Sequence, residues 1–342
     1  MPILSVLRFL LTCGLVLCFV MAPKARAESG INADLCIADA RNAGLSKSRA
    51  GLTWIYIHGV ENKDEASFLQ QVKVIHRELI RTQNRYRFFG KPVACQFAYV
   101  YWGDLANGVQ SVKKTHATPS SRQILNLGLT SISQKSAPVS ATLRQSVHQF
   151  SHDAIWYLTN PAHQAAISTR IQAVLNKVRM QKEASTYVLA GHSMGSVIAL
   201  NTILTTLQYD HRERDALAGL VTFGSPINAL MSSILEARLR QAGSFFSLES
   251  VFTDPKAVQK PWLNIYFVDD PIASTLAAAY AQAPEKFTFR LVDVSLVVKN
   301  PLDGMLKGQI SPHAAYFTYP DAFIESLKAA ERLISETSSQ PK

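Results

Sequence analysis

Cysteine is scarce in this 342-residue chain. It has four, and Cys13 and Cys18 fall inside an apolar N-terminal run. That leaves Cys36 and Cys95 as either a single bridge in an oxidising compartment or two small buried thiols. No Cys/His cluster has zinc-ligand spacing, which argues against a metal centre of that kind. Lys and Arg outnumber Asp and Glu, giving a formal net charge of +10. No basic block is dense enough for a nucleic-acid surface, however. Internal repeats and long low-complexity tracts are also missing, so neither a solenoid nor a disordered tail-like chain is expected.

One long apolar run is present, and it lies at the start. "ILSVLRFLLTCGLVLCFVMA" carries Arg8 as its only charge, and Ala25-Arg26-Ala27 follows as an A-x-A site. This predicts a cleaved secretory signal over residues 1–27 and a secreted or periplasmic mature protein. The run also approaches the ~20 residues that span a bilayer, so an uncleaved N-terminal anchor is the alternative. Cleavage would remove Arg8, Lys24 and Arg26 and lower the formal charge from +10 to +7. Such a mildly basic surface suits an anionic membrane surface or substrate, or is simply a solvated face. Nothing in the sequence speaks to oligomeric state.

Beyond residue 50 the chain alternates short β-rich segments with longer helical ones. Strands are predicted at Leu52–Gly59, Val93–Trp102, Ser185–Gly191, Leu217–Gly224, Trp262–Asp270 and Phe287–Val298. Between the first two, Phe68, Leu69, Val72, Ile75, Leu79 and Ile80 recur at helical spacing within Asp64–Gln83. The pattern predicts an α/β fold: a mostly parallel central sheet flanked by helices, as one domain over residues 28–342. Residues 103–165 and 226–261 break the rhythm and read as insertions able to cap a cleft.

The segment Tyr187–Leu204 carries the chemistry. A β-branched apolar stretch runs into Gly191-His192-Ser193-Met194-Gly195 and then directly into a Pro-free apolar helix. In strand–turn–helix context, G-x-S-x-G is a nucleophile elbow. The serine must project from a very tight turn, and side chains two residues either side would collide with the strand and helix. Ser193 is the expected nucleophile, and the Met194 N–H at the helix start is an oxyanion donor. A serine hydroxyl needs a base. Only His211 and His313 follow Ser193. His211 sits in the charged "QYDHRERD" and reads as solvated, whereas His313 lies between the last strand and last helix, where a base reaches the elbow. Asp269 and Asp270 end an apolar strand, and Asp270, the Asp of Asp-Pro, is the preferred orienting acid; Asp293 and Asp303 are outside candidates. A second oxyanion donor is expected at the Val60 N–H, after the bend allowed by Gly59. His58 is read as a hydrogen-bonded structural residue.

These motifs resemble the α/β-hydrolase superfamily, in particular its lipase/esterase-like members. The matching pieces are the strand–His-Gly-Val loop, Gly-His-Ser-Met-Gly-Ser, "VTFGSPI", "WLNIYFVDDPI" and "SPHAAYF", spanning about residues 51–335. The resemblance implies acyl-enzyme catalysis by Ser193, His313 and Asp270 with no metal or cofactor. It also supports Asp270, because relatives often carry the acid on a Trp-x-Asn…Asp-Pro strand. The expected substrate is a small-molecule or lipid acyl ester. The same machinery would serve a thioesterase or acyltransferase, and a non-catalytic binding protein on a hydrolase fold is the contrasting reading.

Overall fold

Six strands form one sheet in the order β2-β1-β3-β4-β5-β6, and every adjacent pair is parallel. They are β1 (Leu52–Ile57), β2 (Ala98–Val100), β3 (Thr186–His192), β4 (Leu217–Phe223), β5 (Lys260–Phe267) and β6 (Phe289–Leu296). The helices are α1 (Glu65–Thr82), α2 (Gly103–Asn107), α3 (Pro161–Met180), α4 (Met194–Thr202), α5 (His211–Ala216) and α6 (Pro320–Ser338), with a 3-10 turn at Pro312–Phe317. This computed structural model describes residues 51–59, 64–82, 86–107, 157, 161–180, 186–203, 211–228, 260–268, 270, 272–277, 289–296 and 312–338. All of them fall in one compact unit, Asn32–Lys342. Residues 1–27, read as a signal, and most of both insertions lie outside the described residues.

The strands read as continuous apolar runs because a parallel sheet is covered on both faces. In β1 the alternation divides them. Leu52, Trp54 and Tyr56 pack with Phe68, Val72, Ile75 and Leu79 of α1 and with Phe323 and Leu327 of α6. Ile55 and Ile57 face the opposite way, toward Ile167, Ile171 and Leu175 of α3 and Ile198 of α4. The α1 stripe is as expected except at two positions: Leu69 is only partly buried, and His76 is fully buried.

The predicted strand Val93–Trp102 is shorter in the structure. Val93 bridges Leu52 in parallel, and pairing resumes only with Ala98 opposite Ile55. Five steps on one chain therefore match three on the other, so two extra residues bulge from this edge. His76 explains how the bulge is tolerated: its Nε2 bonds the Ala94 carbonyl at 3.0 Å, and its Nδ1 meets the Tyr56 hydroxyl at 3.2 Å. Burial pushes the His76 imidazole down to about 4, so it is neutral near pH 7. Cys95, inside the bulge, is disulfide-bonded.

After β2 the chain returns to the other side of β1 to lay down β3. The order of winding therefore reverses between β1 and β3. In an open α/β sheet the crevice at the carboxyl ends of two such strands is where ligands bind. Gly59 and Ser193 lie there.

Candidate active site

The elbow forms because β3 ends directly against the start of α4, with one residue to turn in. That residue, Ser193, has φ 51° and ψ −127°, a left-handed conformation that costs a non-glycine residue of order 1–3 kcal/mol. Its neighbours must be glycine. A Cβ on Gly191 would lie 2.6 Å from the Ser196 Cα, and one on Gly195 would lie 2.6 Å from the His58 carbonyl oxygen. A directed chain of hydrogen bonds holds the turn. The Ile227 N–H donates to Ser225 Oγ (3.3 Å), and the Ser196 hydroxyl donates to the Ser193 carbonyl (2.6 Å). Ser196 has then spent its only hydrogen, so the 2.8 Å Ser225–Ser196 bond runs from Ser225. The Ser193 N–H itself donates to the Phe223 carbonyl at 3.0 Å.

His313 and Asp270 converge on this serine from elements far along the chain. The His313 Nε2 is 2.7 Å from Ser193 Oγ, and its Nδ1 is 2.9 Å from Asp270 Oδ2 and 3.1 Å from Oδ1. All three residues are buried. The Asp270 Oδ1 also accepts the Ile272 and Ala273 N–H groups, 2.9 and 3.3 Å away. Burial would raise this carboxyl, but the adjoining His313 charge and hydrogen bonds from His313, Ile272 and Tyr316 outweigh it and hold Asp270 below its ordinary value. An ionised acid beside Nδ1–H leaves Nε2 free to accept the serine proton.

Met194 opens α4, so its N–H belongs to the first-turn amides that have no acceptor within the helix. Val60 lies outside the described residues, but Gly59 before it is tightly placed: a Cβ there would come 2.5 Å from the Ser193 Cβ. His58 anchors this corner. The Trp102 N–H donates to its Nε2 at 2.8 Å, which requires the proton on Nδ1, facing the Gly59 carbonyl. The indole N–H of Trp102 donates to the His58 carbonyl at 2.9 Å, and the two rings stack 4.7 Å apart. Burial pushes His58 down to about 4, so it stays neutral. It is a structural residue here, as expected.

Two of the other candidates are placed away from Ser193. His211 begins α5, which leads into the amino end of β4, at the edge of the sheet opposite Ser193. Asp293 is occupied elsewhere: it accepts from the Asn264 amide (2.7 Å), the Thr275 hydroxyl (2.7 Å) and the Leu276 N–H (3.0 Å). It thereby ties down the segment that follows Asp270. Asp269 and Asp303 lie outside the described residues. Two contributors had no role in the sequence reading. The His192 Nε2–H donates to the His313 carbonyl at 3.0 Å, and the Tyr316 hydroxyl reaches Asp270. The Tyr316 signal was present as the spacing Pro-His-x-x-Tyr. On a 3-10 turn, residues three apart eclipse, so His313 and Tyr316 share a side. Among the described residues, no group of three His, Cys, Asp or Glu side chains is placed to hold a metal ion.

A family model described as lipase (class 3) matches residues 114–260, the stretch containing the elbow. Over that stretch the chain is similar to class 3 lipases, and its parallel sheet with flanking helices has the α/β architecture expected from the sequence. Among solved structures it is similar to Est1E from Butyrivibrio proteoclasticus at 13% identity, covering 84% of this chain and 89% of that one, with a TM-score of 0.39. A membrane phospholipase A described as a bacterial virulence factor is similar at 12% identity, covering 96% and 98%, with a TM-score of 0.35. The siderophore hydrolase EstB from Aspergillus nidulans is similar at 12% identity, covering 81% and 82%, with a TM-score of 0.31. Among curated proteins none matches.

Proposed function

We propose that the protein is an ester hydrolase that acts through a Ser193–His313–Asp270 triad on a fatty-acyl ester, outside the cytoplasm. The observation carrying this reading is the buried, directed chain from Ser193 Oγ through His313 to Asp270, with the serine on a strained elbow. His313 takes the Ser193 proton as Oγ attacks the acyl carbonyl. The oxyanion is held by the Met194 and Val60 N–H groups. His313 then gives its proton to the departing alcohol, and water, deprotonated by the same imidazole, cleaves the acyl-enzyme. Asp270 keeps the proton on Nδ1 and stabilises the imidazolium. The class 3 lipase match supports a lipid-like acyl chain. The disulfide at Cys95 supports an oxidising compartment, and so does the apolar N-terminal run read as a signal.

The test is fluorophosphonate labelling of the parent, Ser193→Ala and His313→Ala, with the labelled residue mapped by mass spectrometry. A nitrophenyl ester series from acetyl to palmitoyl runs alongside. Labelling at Ser193 that depends on His313, with kcat falling at least ~10⁴-fold in either variant, is the expected result. Labelling at another residue, or turnover retained by Ser193→Ala, overturns the triad. A preference for acetyl over longer chains overturns the lipid assignment.

A further inference from the structure

Among the described residues the Asp270 carboxylate has three hydrogen-bond partners besides His313, and Tyr316 is the one that is a side chain. Tyr316 is fully buried, and its ring is held among Phe267 (4.7 Å between centroids), His192 (5.7 Å) and Phe223 (6.0 Å). Its hydroxyl stands between two groups. The Phe267 N–H, 2.9 Å away, can only donate, so the phenol oxygen accepts from it. The single phenol hydrogen therefore goes to Asp270 Oδ2, also at 2.9 Å. The same Oδ2 accepts the His313 Nδ1–H at 2.9 Å. One carboxylate oxygen is thus shared between the base and a second donor, and both donors ride on one 3-10 turn.

We propose that Tyr316 is a positioning residue for this hydrolase, fixing the Asp270 carboxylate and drawing charge from the oxygen that faces His313. The inference rests on the triad reading above. Two consequences follow. Orientation comes first: with Oδ1 on the Ile272 and Ala273 amides and Oδ2 on Tyr316, the carboxylate cannot rotate away from His313. Electrostatics comes second: a phenol donor on Oδ2 weakens the pull of Asp270 on the imidazolium, so the base releases its proton more readily to the leaving group. The titratable groups facing this cluster are few. His192 on β3 has its ring 5.1 Å from that of His313 and, pushed by burial down to about 3, is neutral throughout the working range. His58, just after β1, acts on His192 and is likewise neutral.

The experiment compares the parent protein with Tyr316→Phe, which keeps the ring and removes only the hydroxyl. Tyr187→Phe serves as a control that deletes a buried hydroxyl bonded to Glu213, away from the site. Rates are counted per fluorophosphonate-titrated Ser193, so loss of folded protein does not register. For Tyr316→Phe the expected result is kcat lower by roughly tenfold at unchanged KM. The acid limb of the kcat/KM profile should move to higher pH by about half a unit or more. Tyr187→Phe should lower thermal stability and leave both quantities alone. If Tyr316→Phe loses only stability, with kcat per titrated site within about twofold and the acid limb unmoved, Tyr316 is structural packing and the proposal fails. Failure of Ser193 to label in the parent would instead refute the triad itself, a separately readable outcome.

Discussion

Adding one methyl group at Gly59 tests the geometry of the cleft without touching any polar group. A Cβ there would lie 2.5 Å from the Ser193 Cβ, 3.1 Å from Ser193 Oγ and 3.1 Å from the His192 carbonyl. Carbon atoms in contact prefer about 3.5–4.0 Å, so the two backbones must part by about 1 Å. Ser193 is already strained and is tied on its other side to Phe223 and Ser196, so the shift falls on the hydroxyl's aim at His313 and on the Gly59–Val60 peptide. A displacement of that size costs roughly 100-fold in rate, and the overpacking about 1–3 kcal/mol in stability. Gly59→Ala should therefore hydrolyse a nitrophenyl ester about two orders of magnitude more slowly at temperatures where circular dichroism reports it folded. Gly90→Ala is the contrast. Nothing lies within 4 Å of its new Cβ, but φ is +71°, so it should lose about 1–2 kcal/mol of stability and no activity. A Gly59→Ala enzyme within about threefold of the parent would refute the close approach of this loop to the nucleophile.

Glu331 offers a pH-dependent prediction. Burial pushes its carboxyl up from 4.5 to about 7, while hydrogen bonds from the Phe89 N–H and Tyr86 only partly oppose the shift. The fold prefers the protonated form, so the stabilisation is complete below the unfolded value and disappears as pH rises through about 7. The span amounts to about 3 kcal/mol. Urea midpoints measured between pH 4 and 8 should fall with rising pH in the parent and fall less in Glu331→Gln; equal slopes would contradict this. Asp293→Asn turns an amide toward donors from Asn264, Thr275, Leu276 and Ala277, and should cost about 1–3 kcal/mol in denaturant melts. A variant as stable as the parent would show that those contacts are dispensable. Cys95→Ser should cost about 2–5 kcal/mol, and reductant should lower the parent's melting temperature by a matching amount but leave the variant's unchanged.

What could be read from the chain was local. The G-x-S-x-G turn, its strand and its helix are contiguous, so steric rules acting over five residues specify them. The apolar runs of β1, β3, β4 and β5 were legible because a strand covered on both faces has no polar side to obscure it. His313 and Asp270 were singled out by taking the chain order nucleophile, acid, base as the expectation and asking which residues fall near the ends of predicted strands. The edge strand was misjudged in length. "VACQFAYVYW" has the composition of one strand throughout, whereas the two-residue bulge depends on the partner register and on the His76 side chain that caps it.

The sequence by itself determined the layered α/β architecture, the strained turn at Ser193 and the residue types available for its chemistry, because periodicity and turn sterics act between neighbours. Only the tertiary structure decided which side chains meet. It set Asp270 rather than Asp293 beside His313, brought Tyr316 to the same carboxylate oxygen, and seated His192 against the His313 carbonyl. These partners lie 43, 46 and 121 residues apart. No local propensity reaches that far. Their encounter is set by the winding of the sheet, which reverses between β1 and β3 and leaves the cleft at that point.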